Sequence, residues 1–195
     1  MTIAPKAQAS TSAGKRRPKL DNQDLVKTSF WVSQIFMLIA TVAGVYLAAQ
    51  QGLSQAIAFD ALTSKQNNYY LRHALYDEVN DNVTIINDYA NTVLTESHSN
   101  LKTIHPQLAQ FVWNNMRYSN QTLETPTQIL TETRRFYMAA ADIIQKMENR
   151  TYGSHYGANQ LKELTAGIST HTLPALQLNY QTLAAELKAA DIIVE

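Results

Sequence analysis

The sequence predicts an all-α protein in which a single transmembrane helix precedes an extracytoplasmic helical bundle. Three observations support this fold class. No charged residue occurs between Lys27 and Asp60, no stretch alternates apolar and polar residues with a period of two, and apolar residues beyond Asp60 recur at helical spacings. We expect a basic cytoplasmic tail over residues 1–27, a membrane helix with its outward extension over 28–58, and a bundle over 59–195 that has three long helices and one short helix.

The first 24 residues are rich in Ala, Ser, Thr, Lys and Pro and contain almost no large apolar side chains. Such a segment buries too little surface to offset the entropy cost of ordering, so we expect disorder. The basic residues before the apolar helix predict its orientation and offer contacts to anionic lipid headgroups. They are Lys15, Arg16, Arg17, Lys19 and Lys27. So small a basic patch does not predict nucleic acid as a partner.

Residues 30–49 form a near-continuous apolar run. Twenty residues at about 1.5 Å each span roughly 30 Å, the thickness of the hydrocarbon core of a bilayer. Residues 1–27 carry six basic and two acidic side chains, which leaves a charge of +4 on the side expected to stay in the cytoplasm. We therefore expect a bacterial inner-membrane protein with a cytoplasmic N-terminus and a periplasmic C-terminal domain.

A cleaved signal peptide is the alternative to an anchor. A small-x-small cleavage pattern occurs at Ala56-Ile57-Ala58. The apolar part of a signal peptide usually has about 7–15 residues, however, and the run in this chain is longer. We therefore favour an uncleaved anchor.

Small residues recur every four positions along the membrane helix and its extension. They are Ala40, Gly44, Ala48, Gly52 and Ala56. A stripe of small side chains lets a second helix approach closely, and van der Waals packing drives helix association in a membrane. The spacing predicts lateral association of this helix with itself or with another membrane protein.

The first bundle helix is predicted from Asp60 to about Ser97, with one apolar face formed by Leu75, Val79, Val83, Ile86, Ala90 and Val93. A short helix is expected to begin at His105-Pro106, because proline suits the first helical turn, and to stop at the polar run 119–122.

The next helix is predicted to begin with Thr125 as its cap and Pro126 as its first residue, and to end near Tyr152. A heptad seam marks its inner face: Ile129, Thr133, Phe136, Ala140, Ile143 and Met147.

The last helix is expected to begin near Ala158. Its apolar stripe slips between Ile168 and Leu173, close to Pro174, which removes a helical hydrogen bond. We therefore expect a kink or a break between residues 169 and 172, with Thr172 capping the second piece.

No residue pattern predicts catalysis or metal binding. The chain has no cysteine, which excludes disulfides, thiol catalysis and thiolate metal sites. Its five histidines form no His-x-x-x-His or Glu-x-x-His pair of the kind found in zinc and di-iron sites. Neither a Gly-x-Ser-x-Gly elbow nor a phosphate-binding glycine loop occurs. We expect no catalytic residue, metal or cofactor.

Tyrosine is the most suggestive residue type, with ten copies. Tyr69 and Tyr76 are seven residues apart and therefore share a helix face. Tyrosine combines apolar area with a hydrogen-bonding tip and is enriched at interfaces. The pair is a candidate recognition surface, and ordinary bundle packing is the alternative.

These features predict a non-enzymatic accessory or scaffold subunit whose partners are membrane lipid and another membrane protein or a second copy of itself. The alternative is an extracytoplasmic module that binds or senses a ligand. The order of tail, membrane helix and bundle resembles the ligand-binding module of bacterial chemoreceptors and sensor kinases. Those proteins return to the cytoplasm through a second membrane helix, and no second apolar run of that length occurs here, so we assign no family.

Overall fold

The computed structural model describes residues 28–96, 100–116 and 118–194, and all regular structure in these ranges is helical. Helix α1 (Thr28–Thr95) is followed by α2 (Phe111–Met116), α3 (Thr127–Glu148), α4 (Ser154–Gly167) and α5 (Leu173–Ala189). Two 3₁₀ turns, Leu101–Ile104 and Asn120–Glu124, precede α2 and α3, and a π-helical turn, Ile168–Thr172, joins α4 to α5. The prediction of an all-α protein is confirmed.

The chain divides into two compact units, Met1–Ser54 and Gln55–Glu195, and α1 contributes to both. In the first unit, every side chain from residue 31 to residue 54 is exposed. Within the described residues, α1 is the one helix with a stretch long and apolar enough to cross a membrane, judged by length and composition, and no part of that stretch is buried.

The second unit has a core built around the predicted apolar face of α1. All six predicted residues, Leu75, Val79, Val83, Ile86, Ala90 and Val93, are buried. Residues of the later helices complete the core, among them Phe136 of α3, Leu161 of α4 and Leu176 of α5. Full burial of one such side chain stabilises a fold by about 1.5–3 kcal/mol, so this face fixes the position of α1 in the bundle.

Helix α3 presents its predicted seam to the core, with one change. Five of the six seam residues are buried, but Ile144 is buried where Ile143 was predicted, and Ile143 is only partly buried. An α-helix has 3.6 residues per turn, so a strict 3.5-residue seam drifts around a straight helix. The predicted Thr125 cap is wrong by one residue: α3 begins at Thr127 after Pro126, and the Thr125 hydroxyl donates to the Gln121 carbonyl at 3.2 Å.

The prediction of a helix starting at Pro106 is wrong. Helix α2 begins only at Phe111, and the predicted stop region forms the second 3₁₀ turn. The physical reason is a long-range contact that local sequence does not reveal. Asn82 on α1 accepts from the Ala109 N–H at 2.8 Å and donates to the Ala109 carbonyl at 2.6 Å, so Ala109 makes these hydrogen bonds with α1 in place of helical ones.

The last two helices join through the π-helical turn, which lies where a kink or a break was predicted. Leu173 donates its N–H to the Ile168 carbonyl, five residues back, as a π-helix requires. The prediction that Thr172 caps a second piece is wrong, because its backbone is helical and its hydroxyl donates to Glu132 at 2.9 Å. Helix α3 ends at Glu148, before the predicted Tyr152, and α4 begins at Ser154, before Ala158.

Candidate functional site

The five small residues of the predicted association stripe all lie exposed on α1. A methyl group added at Gly44 or Gly52 would meet no atom within 4 Å. Ala40, Gly44, Ala48 and Gly52 belong to the first unit, and Ala56 belongs to the second. The five basic residues predicted to contact lipid headgroups lie outside the described residues.

Tyr69 and Tyr76 meet in a cluster with α5. The Tyr180 ring lies 6.1 Å from the Tyr69 ring and 5.6 Å from the Tyr76 ring, measured between centroids. His73 stacks on the same Tyr180 ring at 4.6 Å. Burial and the nearby Tyr76, Asp77 and Tyr69 raise the pKa of Tyr180. Tyr69 is only 5% exposed, so its surface is used largely within the bundle.

A buried polar cluster, formed by Glu78, Asn82 and Tyr137, binds the first turn of α2 through hydrogen bonds. Glu78 accepts hydrogen bonds from the backbone N–H groups of Val112 at 2.6 Å and Trp113 at 3.0 Å. The Tyr137 hydroxyl donates to the same carboxylate at 3.1 Å, and Asn82 donates to that hydroxyl at 3.0 Å. Burial, followed by the charge of Glu78, raises the pKa of Tyr137. With its hydrogen bonds taken up by protein groups, Glu78 has a structural role as the cap of α2.

A second polar cluster ties α1 to α5 and to the second 3₁₀ turn. Arg72 donates to Asn179 at 2.7 Å and to the Glu124 carbonyl at 2.6 Å, and Asn68 donates to the Glu124 carboxylate at 2.6 Å. Burial lowers the pKa of Arg72, and the charge of Glu124 opposes this shift. These paired groups stabilise the fold, because a buried charge is tolerated only when it is hydrogen-bonded.

A groove of about 570 Å³ lies between α3 and the segment that contains the π-helical turn. This volume is within the range of small-molecule sites, and π-helical turns are frequent at functional sites. Its wall combines apolar and charged side chains. They are Gln128, Glu132, Arg135, Phe136, Ala139, Glu163, Leu164, Gly167, Ile168, His171 and Thr172.

Glu132 is the best-oriented charge in this groove. Gln128 and Thr172 each donate to its carboxylate at 2.9 Å. These two hydrogen bonds, with smaller effects from His171 and Arg135, lower the pKa of Glu132. The carboxylate is therefore held in a fixed direction, in the same groove wall as the cationic Arg135.

The sequence prediction missed this groove, although one signal pointed to it. The apolar stripe of α4 and α5 has a spacing of five between Ile168 and Leu173, where three or four is normal. A spacing of five matches the hydrogen-bonding period of a π-helix. The slip predicts a kink or a break, and local sequence does not reveal the groove beside it.

Among the described residues, no group of three or more His, Asp or Glu side chains is arranged to hold a metal ion. No protein-family profile, curated protein or solved structure matches this chain.

Proposed function

We propose that this chain is a non-enzymatic single-pass protein of the bacterial inner membrane, an accessory or scaffold subunit that joins a membrane protein complex through α1 and its helical bundle. In this proposal the N-terminus is cytoplasmic and the bundle is periplasmic. The observation that carries the proposal is the uncovered apolar surface of α1 between residues 31 and 59.

The large apolar side chains of this stretch are 45–74% exposed. Each would gain up to about 1.5–3 kcal/mol on transfer from water to apolar surroundings, so an uncovered helix of this kind is unfavourable in water. A bilayer covers all sides of a helix at once, whereas one partner helix covers a single face. A lipid bilayer would therefore cover the whole exposed circumference of α1, which a single partner helix could not do.

The association part of the proposal rests on the small-residue stripe. Gly44 and Gly52 leave open space beside the helix, so a neighbouring backbone can approach closely there. The stripe occupies one face, and the rest of the circumference remains available to lipid. A subunit anchored in this way brings its bundle to a fixed place in the complex.

The anchor and its orientation are tested by extraction and by reporter fusions. We expect the full chain to stay in the membrane pellet at alkaline pH. Alkaline phosphatase fused to the C-terminus should be active, because that enzyme matures only outside the cytoplasm, and green fluorescent protein fused there should be dark. Release from the pellet would contradict the anchor, and the reversed reporter pattern would contradict the orientation.

The scaffold role is tested by purification of the tagged full chain from its native membrane in mild detergent. We expect one or more membrane proteins, or a second copy of the chain carrying another tag, to co-purify at a fixed ratio. Recovery of the chain as a monomer alone, under conditions that preserve known complexes of the same membrane, would contradict the scaffold role.

A ligand-binding function is the second candidate, and the oriented carboxylate of Glu132 favours it. Glu132 and Glu163 line the groove together with Arg135 and apolar side chains such as Phe136, so the matching ligand has a cationic amine, an anionic group and a small apolar part. A panel of such amines should raise the melting temperature of the full chain in detergent. The variant Glu132→Gln should lose this shift, and Asp142→Asn on the same helix, outside the groove lining, should keep it.

A further inference from the structure

A small pocket opens between α2, the second 3₁₀ turn and α3, all of which belong to the second unit. Its volume is about 180 Å³, and we call it the α2–α3 pocket. The residues that line it are Trp113, Met116, Thr122, Leu130, Thr131 and Arg134. Small-molecule sites usually have about 300–1,000 Å³, whereas an apolar cavity of about 150 Å³ holds benzene. The pocket therefore has room for one large apolar side chain.

The interior of the α2–α3 pocket is suited to an apolar group. The Thr122 hydroxyl donates to the Met116 carbonyl, so this polar group is already paired. The half-buried Trp113 ring packs on the Tyr137 ring at 5.9 Å between centroids. Among the described residues, no buried side-chain N or O atom without a hydrogen bond belongs to the pocket lining. An apolar side chain that entered the pocket would therefore leave no buried polar group unpaired.

Arg134 adds a positive charge to the wall of the pocket. Its side chain is exposed, and within the described ranges it takes part in no hydrogen bond or ion pair. The acidic residues of the turn and of α3 all have other partners: Glu124 has Asn68, Glu132 has Thr172, Asp142 has Lys146 and Glu148 has His105. The charge of Arg134 is thus left for a carboxylate from outside, which a guanidinium binds through two parallel hydrogen bonds.

Exposed apolar side chains lie next to the pocket along the chain. Met138 is one turn beyond Arg134 on the same side of α3 and is 66% exposed. Leu123 directly follows Thr122 and is 88% exposed. Tryptophan, arginine and methionine are enriched at protein interfaces relative to the rest of a protein surface. The pocket and its surroundings therefore have the composition of a protein-binding surface.

The unpaired charge also distinguishes between two kinds of protein partner. A symmetric dimer brings the same patch of both copies together. Contact through the α2–α3 pocket would then place one Arg134 against another, and like charges across an interface are unfavourable. A different protein, with a carboxylate at this position, is the better match.

We propose that the α2–α3 pocket is the place where the bundle binds another subunit of the membrane complex. The occupant is a segment of that subunit which inserts one side chain of the size of leucine or phenylalanine and places an aspartate or glutamate on Arg134. This inference rests on the proposed scaffold function and adds the contact site and the chemistry of the partner.

The test is photo-crosslinking of the tagged full chain in its native membrane. Benzoylphenylalanine replaces Met138 beside the pocket or, as the matched control, Leu178 on α5, which is 68% exposed. Mass spectrometry of the crosslinked peptide identifies the partner segment. Arg134→Glu is combined with the label at position 138, and Arg135→Glu is its control, because Arg135 is exposed on the same helix and does not line this pocket.

We expect a crosslink to another membrane protein from position 138 and none from position 178. The partner segment should carry an aspartate or glutamate close to a large apolar residue. Arg134→Glu should lower the crosslinking yield about tenfold, because it sets two negative charges against each other, and Arg135→Glu should retain it. Replacing the partner's carboxylate by lysine should restore the yield in the Arg134→Glu chain.

Three results would overturn the docking site and leave the scaffold role intact, provided that partner proteins still co-purify. They are no crosslink from position 138, a crosslink only to a second copy of the chain, and a yield that Arg134→Glu does not change. Circular dichroism of the Arg134→Glu chain should match that of the unchanged chain, since Arg134 makes no contact that the fold needs. Failure of any protein to co-purify would overturn the scaffold role, and the inference with it.

Discussion

At the scale of single residues, two glycines of the same helical segment differ in their surroundings. A Cβ atom added at Gly157 would lie 2.2 Å from Cγ and 2.5 Å from Sδ of Met147, whereas a Cβ atom at Gly167 would meet nothing within 4 Å. Met147 is itself buried at 1% exposure, so its side chain has little room to retreat. Gly157 is therefore a packing requirement, and Gly167 is not.

We expect Gly157→Ala to destabilise the chain by about 1–3 kcal/mol, because overpacking displaces Met147. Gly167→Ala should stabilise it by about 0.4–1 kcal/mol, because alanine restricts the unfolded chain and suits a helical backbone. Denaturant unfolding in mild detergent, followed by circular dichroism, measures both. Equal effects of the two changes would show that Met147 does not restrict the site.

The buried Tyr89 is expected to make the folded state less stable at alkaline pH. Burial, with the nearby charge of Glu148, raises the pKa of Tyr89 to about 12. The folded state then keeps its proton while the unfolded state loses it from about pH 10 upward, so stability is fully present below pH 10 and falls as pH rises toward 12. The slope is up to about 1.4 kcal/mol per pH unit.

We expect Tyr89→Phe to reduce this alkaline loss of stability, measured as the midpoint of denaturant unfolding between pH 9 and pH 12. Tyr118 is 87% exposed, so Tyr118→Phe serves as the control and should leave the slope unchanged. If Tyr89→Phe has the same slope as the unchanged chain, proton release from Tyr89 is not coupled to unfolding.

At the scale of elements, α2 has only six residues and depends on α1 for its start. Isolated helices of this length do not persist in water, so tertiary contacts must supply the stability. Glu78 provides these contacts, because its carboxylate accepts hydrogen bonds from the backbone N–H groups of Val112 and Trp113.

Loss of this cap should release α2 locally. Hydrogen bonds to a charged group contribute about 1.5–3 kcal/mol, and removing Glu78 also leaves two backbone donors unpaired, so we expect Glu78→Ala to cost about 2–4 kcal/mol. Glu78→Gln should cost less. Hydrogen exchange of the Val112 and Trp113 amides should accelerate in both. Asp81 is exposed on the same helix, so Asp81→Asn is the control. If Asp81→Asn accelerated exchange of the Val112 and Trp113 amides equally, Glu78 would not be a specific cap.

The sequence predicted those features of the elements that depend on periodicity, and not those that depend on distant partners. The buried face of α1 and most of the seam of α3 follow from residue spacing, because each helix must bury one stripe. The start of α2 depends on Glu78 and Asn82, which are about 30 residues away in the chain. The groove beside Glu132 depends on Thr172, 40 residues away. Local propensity carries no information on such pairs.

At the scale of the whole molecule, the small-residue stripe was visible in the sequence, and the structure leaves it exposed. In a membrane, lipid tails are as apolar as the helix, so burial of apolar area does not favour association. Close backbone approach across small residues favours it instead. The proposed assembly therefore depends on side-chain volume on one face of α1, while membrane insertion depends on overall apolar character.

Association and membrane insertion can be tested separately with variants that enlarge the small residues of the stripe. We expect Gly44→Leu with Ala48→Leu to leave membrane insertion unchanged and to weaken association about tenfold or more, because leucine holds the backbones apart. Val42→Leu with Tyr46→Leu is the control, since each of these positions is two residues from Gly44 or Ala48 and therefore lies on the opposite side of the helix. The measurement is the yield of co-purified membrane proteins and of a differently tagged second copy at equal expression. If the stripe variant retains every partner, α1 is only a tether, and association must be assigned to the helical bundle.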